Sequence, residues 1–169
     1  MKHHNIPPGK IICGGARWSI AVFAALIVAG AAAADRPDPL PGTVTIKTQY
    51  GFDALVNRVE KAVGNHKMGL VAQASASRGA AARGVKIPGN AVLMVFRNDY
   101  AVRMLEASVP AGIEAPLRVY ITENADGTAN LTYRAPSAVF APYRNRALDE
   151  IAKELDVVFQ NIVRDATGG

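Results

Sequence analysis

The sequence predicts an α+β fold, a two-layer sandwich of about five mainly antiparallel strands with helices packed on one face, in the order β-α-β-β-α-β-β-α. Three observations carry this. Val92-Leu93-Met94-Val95-Phe96 is an unbroken apolar run of strand length, entered through turn chemistry at Pro88-Gly89-Asn90. Leu117, Val119 and Ile121 alternate with polar residues, as do Ala129, Leu131 and Tyr133, and Asp126-Gly127 lies between the two sets. That is an antiparallel hairpin around a tight turn. Two further stretches repeat apolar residues at helical spacing, one before the central run and one at the end of the chain.

In chain order, residues 1–18 are basic and residues 20–34 are small and apolar, ending in Ala32-Ala33-Ala34 before Asp35. The pattern is that of a cleaved secretory signal with a small-x-small cleavage site. Fifteen residues are short of the about 20 that span a bilayer. The alternative is a retained N-terminal anchor, and membrane association is expected only in that case. Cys13 precedes the apolar run, so it is not placed as a lipoprotein cysteine. Residues 35–42 hold three prolines and a glycine and read as an extended spacer. The domain is expected over residues 43–166.

Residues 44–48 alternate and are β-branched, a first strand. Phe52, Leu55, Val56, Val59, Ala62 and Val63 form a helical stripe, stopped at Gly64-Asn65. Residues 70–76 read as an alanine-rich strand, and residues 77–84 as one short helix capped by Ser77. The run 92–96 suggests a strand covered on both faces, by helices, a partner chain or both. Asn98 or Asp99 then caps a helix whose stripe is Ala101, Val102 and Leu105, ended by Pro110 and Gly112. After the hairpin, Pro142 stands in the first turn of a last helix of about five turns. Leu148, Ile151, Ala152, Leu155, Val158, Phe159 and Ile162 make its buried stripe, and Glu150 and Lys153 form a surface pair.

Composition narrows the chemistry. The formal charge is +5, but residues 1–34 hold three of the 19 basic residues and none of the 14 acidic ones, so the remainder carries +2. A near-neutral domain is a poor polyanion binder, and no nucleic-acid partner is expected. One cysteine, in the leader, allows no internal disulfide. His66 is the only histidine outside the leader. No metal site and no cofactor is expected, because a transition-metal site needs several converging borderline or soft ligands. Ser75, Ser77, Ser108 and Ser137 stand in no Gly-x-Ser-x-Gly elbow, and no glycine-rich phosphate loop is present. No catalytic residue is assigned.

The remaining feature is a cluster of arginine and tyrosine. Arg97 ends the central strand beside the helix start at Asn98 and Asp99, Arg134 ends the hairpin, and Tyr143 lies with Arg144 and Arg146 before the last stripe. Guanidinium groups near helix N-termini bind carboxylates and phosphates. The candidate ligand-binding residues are therefore Arg97, Asn98, Asp99, Arg134 and Tyr143. The competing reading has these arginines pairing on the surface with Asp99, Glu106, Glu114 and Asp149.

Taken together, Asn98, Ala101, Leu105, Pro116, Asp126, Gly127 and Pro136 resemble the ordered pattern of the DUF302 family, small α+β domains of unknown function. The resemblance implies the fold above over residues 43–166. The resemblance implies cysteines, carried by many members of the family, where this chain has Arg97 and Leu117, so a thiol or metal role there does not transfer. The expectation is a periplasmic or secreted, non-catalytic binding or interaction module working as a homodimer. Its alternatives are an enzyme or sensor for a small anionic ligand, and an inner-membrane-anchored subunit.

Overall fold

The computed structural model describes residues 39–169. The expected leader lies outside them, as do residues 35–38 of the spacer. Residues 39–42 end in a turn, with the Thr43 amide donating to Leu40 O at 3.0 Å and Ala135 N to Gly42 O at 2.8 Å. Gly42 has φ +74, and a Cβ there would strike Ala138.

Five strands form one sheet: β1 (Thr43–Gly51), β2 (Gly69–Ala74), β3 (Asn90–Phe96), β4 (Leu117–Glu123) and β5 (Thr128–Arg134). Their order is β1-β5-β4-β3-β2, and every neighbouring pair is antiparallel. Helices α1 (Phe52–Asn65), α3 (Asn98–Ala107) and α5 (Arg146–Thr167) are joined by the short helices α2 (Ala76–Ala81) and α4 (Pro136–Phe140). This is the predicted α+β sandwich.

The core lies between the sheet and the pair α1 and α5. Leu55, Val59, Phe159 and Ile162 meet Leu93, Val119, Ile121 and Leu131, all 0% exposed. Each such side chain is worth about 1.5–3 kcal/mol of burial. The hairpin turn is as expected: Gly127 takes φ +82, and Asp126 Oδ1 accepts from Thr128 N and Thr128 Oγ1 at 3.0 and 2.6 Å.

Among the described residues, helices cover one face of the run 92–96: Ala91, Leu93 and Val95 are buried, while Val92, Met94 and Phe96 are half-exposed on the outer face. Several expectations change. The stripe of α3 is different, since Val102 and Leu105 are exposed and Met104 is its buried residue. Neither Asn98 nor Asp99 caps α3; Arg97 stands at the N-cap with extended backbone and no capping side chain. Ser75, not Ser77, caps α2, accepting from Arg78 N at 3.2 Å. Pro142 lies in a 3-10 turn before Arg144, whose left-handed φ of 50 breaks the chain direction. The last helix therefore starts at Arg146, capped by Asn145 Oδ1 on Leu148 N at 3.1 Å, and runs 22 residues.

A cleft at one edge of the sheet

Antiparallel pairing brings the ends of β3 and β5 and the starts of β4 and β1 to one edge. On the outer face there, Thr43 pairs with Arg134 and Arg118 with Met94. The β4–β5 register ends at Val119 opposite Tyr133, so the next step sets Arg118 opposite Arg134. Two like charges side by side on one face of a sheet are destabilising.

Both arginines line a cleft of about 350 Å³ with Leu40, Thr43, Glu114, Leu117, Tyr120 and Thr132. Leu40 and Thr43 come from the entering turn, and Glu114 from the 3-10 turn Val109–Glu114. Arg134 is held by Nη2 donating to Ala138 O at 3.3 Å. Its Nε is shut off from solvent and, among the described residues, has no hydrogen-bond partner. A buried donor without an acceptor costs about 1–3 kcal/mol. Among the described residues, neither Arg118 nor Arg134 has a carboxylate within ion-pairing reach.

Tyr143 reaches the cleft indirectly. Its hydroxyl donates to Glu114 Oε1 at 3.2 Å. Burial, and then the Glu114 carboxylate, hold the phenol above its ordinary value, so it stays a donor. Arg134 thus lines the cleft, and Tyr143 touches only its wall, through Glu114.

Arg97, Asn98 and Asp99 are not part of it. Arg97 Nε and Nη2 donate to Asp99 Oδ1 and Oδ2 at 2.7 and 3.0 Å, and its guanidinium lies 4.2 Å from the Tyr100 ring centre. The Arg97 hydrogen bond holds the Asp99 carboxyl below its ordinary value. Surface pairing is realised for Arg97, as the competing reading expects. Asn98 is exposed at the start of α3. Arg97 instead lines a hollow of about 30 Å³ under α3 with Met68, Tyr100, Met104, Leu117 and Phe140.

Arg118, Tyr120 and Thr43 were not singled out by their local pattern. The signal for Arg118 was its place opposite Leu117 and Val119 in the alternation, which puts it on the outer face. Its neighbour across the ladder is not readable without the register.

The family described as domain of unknown function DUF302 matches residues 44–166. The chain belongs to the DUF302 family. Its fold is similar to the crystal structure of uncharacterized conserved protein DUF302 from Bacillus stearothermophilus, with a TM-score of 0.65 and 19% sequence identity over 74% of this chain and 98% of that one. No curated protein matches the chain. Most of the residues that carry the DUF302 pattern here do structural work: Asp126 and Gly127 make the hairpin turn, and Pro136 is buried at the first position of α4. Leu105 closes over Gly112, where a Cβ would meet it at 2.9 Å. Arg97 and Leu117, the two positions set apart from the DUF302 pattern, both line the hollow under α3.

Among the described residues no three His, Cys, Asp or Glu side chains gather as a metal site, and no helix is long and apolar enough to cross a membrane. His66 lies 2.7 Å from Asp165 Oδ2, and neither residue lines the cleft.

Proposed function

We propose that this DUF302 chain is an exported, non-catalytic binding module that works as a homodimer and holds a small anionic ligand in the Arg118–Arg134 cleft. The observation that carries the ligand is the pair of neighbouring arginines to which, among the described residues, no carboxylate is ion-paired. An anion seated between them relieves the repulsion and forms charge-assisted hydrogen bonds. The volume suits a small molecule rather than a polymer. Export rests on the leader pattern of residues 1–34. The non-catalytic role rests on the sequence, which has no Gly-x-Ser-x-Gly elbow and no glycine-rich phosphate loop.

The homodimer is supported by the other half of the outer face. Val92, Met94 and Phe96 on β3 adjoin Ala72 and Ala74 on β2, with Val71 53% exposed beside them. This apolar half lies next to the cleft without including it.

Calorimetry of the full chain with acetate, glutarate and phosphate tests the ligand. Binding of at least one anion is expected, weakened about tenfold or more by Arg134→Gln, since a hydrogen bond to a charged group is worth about 1.5–3 kcal/mol. Arg118→Gln is expected to weaken it less, because Arg118 is solvent-exposed. Absence of binding by all three anions would refute the ligand.

A further inference from the structure

The cleft contains a second kind of charge. Glu114 lines it together with Arg118 and Arg134, yet no ion pair joins the carboxylate to either arginine. Opposite charges that share a small cleft without closing on each other leave a gap that a dipolar molecule fits. One Glu114 oxygen is occupied by the Tyr143 hydroxyl. The other, among the described residues, has no hydrogen-bond partner, so it is open to an ammonium group.

The cleft's side chains sum to two positive charges and one negative. A ligand of matching charge carries two carboxylates and one ammonium. We infer that the cleft takes an amino-dicarboxylate, of the chemical class of the acidic amino acids, with its carboxylates on Arg118 and Arg134 and its ammonium on Glu114. Leu40, Leu117 and Val139 give the apolar wall against the carbon chain. This assignment rests on the anion reading above and adds the cationic end.

Glutamate and glutarate share a carbon chain and differ by one amino group, so they separate the two claims. In calorimetry with the full chain, glutamate is expected to bind at least tenfold more tightly than glutarate. Glu114→Gln is expected to bring that ratio close to one, by weakening glutamate binding and tightening that of glutarate, which no longer meets a like charge. N-acetylglutamate, whose nitrogen is uncharged, tests the same point without a variant and is expected to bind no better than glutarate. Glutarate binding as well as glutamate, or a ratio that survives Glu114→Gln, overturns the amino-dicarboxylate assignment and leaves the anion site standing. Failure of both ligands to bind, with phosphate and acetate also silent, overturns the site itself.

Discussion

Asp99 illustrates how far a single residue can be read from its neighbours in sequence. Its short polar side chain suits an N-cap, but Arg97 two residues earlier takes both carboxylate oxygens in a bidentate pair. That competition is local, yet it turns on the extended backbone of Arg97, which no pattern reports. The carboxyls of Asp99, Glu154 and Asp126 are all held below their ordinary values, by Arg97, Arg103 and the Thr128 hydroxyl respectively. A carboxyl depressed in the folded state stabilises above its unfolded value, and that contribution is lost as pH falls through the folded value. Thermal melts should therefore show the melting temperature dropping below about pH 4, the ordinary carboxylate range. Asp99→Asn should flatten part of that drop, and added salt should do the same, since these pairs are exposed and screened. The Asp126 turn was legible because all its partners lie within two residues. The Arg118–Arg134 pair was not, because its members stand on different strands.

The same division appears among the elements. α5 was readable from its stripe, since one face is buried from Leu148 to Ala166. Its buried residues include Leu148, Ile151, Leu155, Phe159 and Ile162. Phe159→Ala is expected to cost about 3–5 kcal/mol in denaturant unfolding, as its ring is fully buried and lies 6.0 Å from that of Tyr133. Asn145→Ala should cost about 1 kcal/mol by the same measurement, through loss of the cap on Leu148 N. The start of α5 was misplaced because Pro142 looks like a helix opener, while the left-handed Arg144 only becomes visible in the backbone. α3 is the harder case. Tyr100, Met104 and Ala107 are spaced as helically as Ala101, Val102 and Leu105, so periodicity supports either face. The structure seats Met104 inward and Tyr100 against the core, with Arg97 and Arg103 stacked on the Tyr100 ring. A ten-residue helix touching the core through so few residues has its rotation set by its surroundings.

At the scale of the whole molecule, the sheet has, among the described residues, a helical side and a bare side. The bare side is divided: β2 and β3 present Val71, Val92, Met94 and Phe96, while β1, β5 and β4 present Thr45, Lys47, Asn130, Thr132 and Arg118. Thr45 and Thr132 hydroxyls bond across the ladder at 2.9 Å on that polar half. The proposed homodimer uses the apolar half. Size-exclusion chromatography with light scattering should give a dimer for the wild type and a monomer for Met94→Glu, with the circular dichroism spectrum unchanged. A wild-type monomer would remove the dimer. Met94 stands directly opposite Arg118, so a subunit bound there would border the cleft without filling it.

By itself the sequence determined the α+β class, the hairpin, the two long amphipathic helices and the DUF302 pattern, because each depends on spacing within a few turns or strands of one segment. It also set the stock of reactive groups, through its single cysteine and scarce histidines. Only the tertiary structure decided which face of β3 is open, how α3 is rotated, and which arginines meet. Those depend on strand register, which places Arg118 beside Arg134 and leaves Arg97 to its own helix, and register is settled by packing across residues far apart in the chain.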